Sequence, residues 1–185
     1  MTSKDVSIER PFKERPLTLF LALLTLLLMV SAARGEEHRP ATVILVVRHA
    51  EKEKAPAEDP PLTAAGRDRA EALSRLALSA DIAAIYATPT RRTRQTVGPL
   101  AKKRGLETQP YEAKDYAGLA ADIVGRFEGR TVLVCGHSNT LPGIVAALGG
   151  GTVEVRDEEF DHLFVVVVPA AGPARTIHLR YGPAG

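Results

Sequence analysis

Three short apolar runs, interspersed with segments of helical character, constrain the fold of this chain more than any other feature. Residues 42–47, 82–86 and 131–134 are rich in aliphatic side chains and are typical of strands buried on both faces. The patterns between and after them predict helices at residues 63–79, 91–104, 116–127 and 141–148. Strands alternating with helices predict an α/β fold with three layers, α/β/α, in which a mostly parallel sheet carries helices on both faces.

Two further strands are predicted near the end of the chain. Residues 163–168 and 176–179 are separated by a turn rich in Pro and Gly at residues 169–173. Because this connection is so short, the two strands are expected to form an antiparallel hairpin.

The first 35 residues differ from the rest of the chain. Basic residues precede an apolar run at 17–30, and small residues follow at 31–35, which is the order of a secretory signal. Cleavage is expected after Ala32 or Gly35. An uncleaved membrane anchor is the alternative, although the run is short for a span of about 20 residues. The predicted organisation is a signal peptide or anchor at 1–35 and a folded domain at 36–185, exported to the periplasm or extracellular space.

Charge and cysteine usage exclude several classes of protein. Without residues 1–35 the basic and acidic residues balance, which is unlike the basic face of a nucleic-acid binder. Cys135 is the only cysteine, so no intramolecular disulfide forms, and its apolar neighbours predict burial in a strand. The sequence shows no zinc-ligand spacing, no carboxylate–histidine cluster and no glycine-rich nucleotide loop. We therefore expect no metal, no cofactor and no nucleic-acid partner.

Charged and polar residues follow the three apolar runs directly. Arg48 and His49 end the first run, three arginines at 91, 92 and 94 follow the second, and His137 follows the third. One such histidine is usually a loop or capping residue, and arginines on a helix usually face solvent. However, the carboxyl ends of parallel strands meet at one rim of the sheet, where ligands bind. The convergence therefore predicts a binding site.

This combination of residue types suits a phosphoryl group. Guanidinium groups bind phosphate oxygens in pairs of hydrogen bonds, and helices starting after Thr90 and Ser138 would add amide donors. A neutral imidazole among such donors is a competent nucleophile toward phosphorus. Phosphoryl transfer requires mainly positioning and charge stabilisation, which these groups supply without a metal.

Four segments, in order and correctly spaced, carry a resemblance to a known family. They are VVRHAE at 46–51, PLTAAGRDRA at 61–70, YATPTRRTRQT at 86–96 and VCGHSN at 134–139. Together they resemble the motifs of the histidine phosphatase superfamily, which includes the cofactor-dependent phosphoglycerate mutases. The resemblance covers about residues 42–150 and implies a phosphoglycerate mutase-like fold.

The resemblance also implies roles for individual residues. His49 would be the nucleophile that becomes phosphohistidine, Arg48 and Arg92 would clamp the phosphoryl group, and His137 would hydrogen-bond it. Arg91 and Arg94 would flank the site and contact the rest of the substrate.

The resemblance further implies a general acid in the region between the segments at 86–96 and 134–139. Asp115 is the favoured residue because it begins a predicted helix, and Glu112 is the other candidate. The ordinary alternative for Asp115 is a helix cap.

The predicted function is that of a small exported bacterial-type phosphatase. It would hydrolyse phosphate monoesters without a metal, acting on a phosphorylated small molecule or a cell-surface phosphate ester. It would touch a membrane only through an uncleaved N-terminal segment. The enzyme alternatives are a mutase, a protein phosphohistidine phosphatase and a lipopolysaccharide heptose phosphatase-like enzyme. The non-enzyme alternative is an inactive phosphate-binding module.

Overall fold

A six-stranded sheet with helices on both faces organises residues 40–182, the part of the chain that the computed structural model describes. The strand order is β3-β2-β4-β1-β5-β6. The first four strands of this order run parallel, while β5 pairs antiparallel with β1 and with β6. The strands are Thr42–Arg48 (β1), Ile82–Ala87 (β2), Thr108–Pro110 (β3), Thr131–Gly136 (β4), His162–Val168 (β5) and Arg175–Arg180 (β6). The helices are Ala64–Ala77 (α1), Arg91–Arg104 (α2), Tyr116–Arg126 (α3) and Leu141–Ala147 (α4).

Two apolar clusters, one on each face of the sheet, hold the layers together. One packs the sheet against α3 and α4, with Ile44, Ile123 and Ile144 among its fully buried members. The other packs the sheet against α1 and α2 and includes Leu73 and Leu100. Each such side chain contributes about 1.5–3 kcal/mol on burial. The prediction of a three-layer, mostly parallel α/β fold is confirmed.

Local signals predicted most of the elements correctly. Thr63 caps α1 by accepting a hydrogen bond from the Gly66 amide, and Gly105 ends α2 in the left-handed conformation. The antiparallel hairpin of β5 and β6 is present as expected. The short edge strand β3 was not predicted, because its residues Thr-Gln-Pro lack any apolar alternation and it pairs only with β2.

Cys135 lies in β4 with its side chain completely buried, as predicted. Burial raises the pKa of its thiol, which keeps it in the unreactive protonated form. The cysteine is therefore part of the core.

The predicted signal peptide or anchor at 1–35 lies outside the described residues, so export stays a prediction. Within residues 40–182, none of the helices combines the length and apolar character needed to span a membrane.

Candidate active site

The register between β1 and β4 brings the two histidines together. Arg48 at the end of β1 is opposite Gly136 at the end of β4, and these strands are parallel neighbours. His49 and His137 therefore leave the sheet at the same edge. The His49 amide donates to the Gly136 carbonyl oxygen at 2.9 Å, and the two imidazole centroids are 5.3 Å apart.

The four residues predicted to surround the phosphoryl group, here called the phosphate cage, line one cavity of about 570 Å³; they are Arg48, His49, Arg92 and His137. Its lining comprises Arg48, His49, Lys52, Arg92, His137, Ser138, Asn139, Asp157 and Phe160. The charged members are three cations and one carboxylate, so an anion is favoured there.

One part of the Arg48 guanidinium is hydrogen-bonded to the protein, and another part is unpaired. Its Nη1 donates to the carbonyl oxygens of Arg156, Asp157 and Glu159 at 2.7–3.0 Å, and its guanidinium stacks 4.0 Å from the centroid of Phe160. Its Nε is buried and has no hydrogen-bond partner among residues 40–182. Since Nε and Nη2 share one edge of the planar group, this edge remains for a bidentate ligand.

Arg92 presents a second unpaired donor. It lies in the first turn of α2, and its Nε is also buried without a partner. A buried donor left unpaired costs about 1–3 kcal/mol. An anion accepting from both arginines would remove that cost, so the two orphaned groups indicate an anion site.

His49 is in the form required of a nucleophile. Its side chain is almost completely buried, at 3% exposure. Nδ1 lies 2.8 Å from the Ala50 carbonyl oxygen, and because that oxygen only accepts, Nδ1 carries the proton. Nε2 therefore keeps its lone pair. Burial, assisted by the charge of Arg48, lowers the pKa of His49 to about 3, so the ring is neutral at neutral pH.

His137 is neutral as well, and a hydroxyl group orients it. Its Nε2 lies 2.9 Å from Thr88 Oγ1, at the end of β2. Burial, with the charges of Arg92 and Arg48, lowers the pKa of His137 to about 4. The Thr88 hydroxyl therefore fixes the orientation of the second imidazole of the site.

Two further residues of the 86–96 segment hold the site together. Thr96 Oγ1 accepts from the Ala50 amide at 2.9 Å and donates to the Arg92 carbonyl oxygen at 2.8 Å. Gln95 Oε1 accepts from the Leu62 amide at 2.8 Å. These hydrogen bonds connect the backbone at Ala50 and Leu62 to α2, the helix that carries Arg92.

Glu51 lies two residues beyond His49, but its side chain is paired away from the cavity. Its carboxylate pairs with Arg69, which is only 2% exposed, at 2.7 Å. Arg69 also donates to the Tyr181 carbonyl oxygen at 2.9 Å. This buried connection between β1, α1 and the end of β6 was not predicted.

Neither predicted general acid lines the cavity. Asp115 is the N-cap of α3, where its Oδ1 accepts from the Gly118 amide at 2.9 Å. Glu112 is exposed on the preceding loop. Their assignment as acids stays a prediction.

The flanking arginines do not line the cavity either. The Arg91 amide donates to Asp59 Oδ1 at 2.7 Å, so the first amide of α2 is occupied. The Arg94 side chain lines a separate pocket with Pro89 and Pro110.

Several cavity residues were not recognised in the sequence. Ser138 and Asn139 were signalled only by their adjacency to His137, and Lys52 only by its proximity to His49. Asp157 and Phe160 lie on the irregular segment between α4 and β5, where no pattern predicts proximity to β1. Between residues 40 and 182, no group of three or more His, Cys, Asp or Glu side chains has an arrangement that holds a metal.

Comparisons with known proteins give a match to one family model over part of the chain, and a fold. Residues 44–115 match the family model described as the histidine phosphatase superfamily (branch 1). No curated protein matches the sequence.

Among solved structures, the protein histidine phosphatase SixA complexed with tungstate matches at a TM-score of 0.61 and 15% identity, over 75% of this chain and 96% of that one. YhfR of Bacillus stearothermophilus matches at 0.59 and 19% identity, over 78% and 98%. A phosphoserine phosphatase mutant from Entamoeba histolytica in complex with phosphoserine matches at 0.57 and 12%, over 76% and 96%. At these identities the structural matches establish the shared fold.

Proposed function

We propose that the chain is a member of the histidine phosphatase superfamily and that it hydrolyses phosphate monoesters through a phosphohistidine on His49. One observation carries the proposal: two arginines present buried, unpartnered Nε–H groups in a site whose cavity is also lined by two neutral imidazoles. The named phosphatases of the same fold agree with it.

The arrangement supports a two-step reaction. Arg48, Arg92 and His137 would hold the phosphoryl oxygens and stabilise the charge that develops on them. His49 Nε2 would attack phosphorus, forming an N–P bond while the ester P–O bond breaks. Water would then hydrolyse the phosphohistidine and release phosphate. The chain's own side chains supply the charge stabilisation in this scheme.

The cavity is polar and suits a phosphate ester whose remainder extends past Lys52, Ser138 and Asn139. A phosphorylated small molecule or a cell-surface phosphate ester fits this description.

One observation favours a second candidate, a protein phosphohistidine phosphatase. The acids predicted from the sequence, Asp115 and Glu112, do not line the cavity. If Asp157, the carboxylate that does line it, takes no part in proton transfer, an N–P bond is the easier bond to cleave because it needs less help from an acid than an ester does.

Turnover of 4-nitrophenyl phosphate by the purified full chain tests the proposal. We expect the wild type to hydrolyse it, and His49→Ala to lower kcat by about 10³-fold or more. With ³²P-labelled substrate, quenching in alkali should trap a phosphoprotein that acid destroys and that His49→Ala lacks. Phosphohistidine-containing peptide, assayed in parallel, would identify the second candidate if it is the faster substrate.

An inactive wild type would contradict the enzyme proposal. If that protein still bound vanadate, and Arg92→Ala but not Arg94→Ala weakened the binding, the chain would be a phosphate-binding module. Arg94 is the matched control because it lies on the same helix and does not line the cavity.

A further inference from the structure

We propose that Asp157, on the segment between α4 and β5, is the general acid that protonates the leaving oxygen. This inference rests on the proposed phosphatase function and adds a residue to it. Asp157 is the one carboxylate among the described residues that line the cavity with His49 and His137.

The segment that carries Asp157 is hydrogen-bonded to Arg48, a residue of the phosphate cage. Arg48 Nη1 donates to the carbonyl oxygen of Asp157 at 2.7 Å, and to those of Arg156 and Glu159. Because Nη1 has only two hydrogens, the three carbonyls must converge closely on it. The Phe160 ring then covers the guanidinium at 4.0 Å. The position of the carboxyl is thus coupled to the arginine that would hold the phosphoryl group.

One oxygen of the Asp157 carboxyl is available for proton transfer. Ser138 Oγ donates to Oδ1 at 2.6 Å, which orients the group beside His137. No other described residue forms a hydrogen bond or an ion pair with Oδ2. The side chain is solvent-exposed, so a proton can be replenished from water.

The other nearby carboxylates are committed elsewhere. Glu51 is paired with Arg69, and Glu159 is bound by Arg156 and Arg180. Asp115 caps α3. None of these three lines the cavity.

The proposed chemistry balances over two steps. As the His49 Nε2–P bond forms and the ester P–O bond breaks, the proton on the Asp157 carboxyl passes to the leaving oxygen, and the alcohol departs. Water then attacks phosphorus, the N–P electron pair returns to Nε2, and the Asp157 carboxylate takes the proton of water.

Leaving-group dependence separates a general acid from a merely structural residue. We would measure kcat/KM of the full chain for 4-nitrophenyl phosphate, phenyl phosphate and glycerol phosphate. The variants are Asp157→Asn, which retains the Oδ1 acceptor for Ser138, and Glu158→Gln, an adjacent and exposed carboxylate outside the cavity lining. Asp157→Asn should lose about 10²–10³-fold on phenyl and glycerol phosphate and less than about tenfold on 4-nitrophenyl phosphate. Glu158→Gln should match the wild type on all three.

The remaining outcomes overturn the proposal. An equal loss on all three substrates would mean that Asp157 only positions the segment around Arg48. A steep leaving-group dependence in Asp115→Asn, Glu112→Gln or Lys52→Met, but not in Asp157→Asn, would move the role to that residue. The affinity of Asp157→Asn for vanadate is measured as a control, and an affinity equal to that of the wild type shows that the phosphate cage is intact. A wild type that hydrolyses none of the three substrates would instead remove the proposed function, and this inference with it.

Discussion

At the residue scale, the site keeps both histidines uncharged by burying them beside two guanidinium groups. His49 and His137 have depressed pKa values chiefly because of desolvation, and the neighbouring arginines add to the effect. A neutral Nε2 is what a nucleophile requires, and the two guanidinium groups beside the imidazoles favour an anion at this site.

The same depressed pKa values predict a loss of stability in mild acid. In the unfolded chain these histidines titrate near the ordinary value of about 6.5, whereas in the folded chain they stay neutral to about 3 and 4. Between pH 7 and pH 5 the unfolded state therefore takes up protons that the folded state does not, and folding weakens by about 2 kcal/mol per histidine. Urea denaturation in phosphate-free buffer measures this change.

His49→Gln provides the comparison for that experiment. Because glutamine does not titrate, the variant should lose about 2 kcal/mol less than the wild type over the same pH interval. The comparison between pH values is made within each protein, so the packing effect of the substitution cancels. An identical pH dependence in both proteins would contradict the assigned neutral state of His49.

The residues of the site differ in how far the sequence could predict them. Arg48, His49 and His137 directly follow apolar strands, so the edge they share follows from parallel strand geometry. Asp157 and Phe160 reach the cavity only because their segment folds back onto Arg48, about a hundred positions away along the chain. Local propensity carries no information about such a contact.

At the element scale, the junction between β1 and α1 depends on a glycine. Gly66 lies in the first turn of α1, and a Cβ built there would be 2.1 Å from the Glu51 carbonyl oxygen. The helix therefore packs directly on the backbone two residues beyond His49. This close approach gives a physical reason for the glycine in the 61–70 segment, which the sequence presented only as part of a resemblance.

Gly66→Ala should therefore destabilise the protein even though alanine is the better helix former. The obstacle is backbone rather than a flexible side chain, so we expect a loss of about 1–3 kcal/mol and a reduced kcat as His49 is displaced. Gly125→Ala in α3 is the matched control, since no atom lies within 4 Å of the new Cβ. That change should be neutral or stabilising by up to about 1 kcal/mol. Urea denaturation of the two variants measures both values, and equal effects would refute the close-packing argument.

At the scale of the whole molecule, the alternation of apolar runs with helical patterns was enough to predict the layered α/β class. The strand order β3-β2-β4-β1-β5-β6 was not predictable, because it is decided by which faces pack best after collapse. The buried pairing of Arg69 with Glu51 shows the same limit. An arginine on an amphipathic helix is expected to face solvent. Arg69 is instead buried on α1, where it binds Glu51 beyond β1 and the Tyr181 carbonyl oxygen beyond β6.

The export predicted from the first 35 residues stays untested, and it yields a final prediction for the chain as a whole. Its only cysteine is buried in β4, so the folded domain requires neither an oxidising nor a reducing compartment. If residues 1–35 are a signal peptide, a Gram-negative host expressing the full chain should deliver protein to the periplasm with a new N-terminus after Ala32 or Gly35. Intact-mass measurement of the fractionated protein identifies either end, whereas an uncleaved anchor would give the full mass in the membrane fraction. Leu24→Arg places a charge inside the apolar run, so this variant should stay in the cytosol whether the segment is a signal peptide or an anchor. Wild-type protein found in the cytosol would refute export.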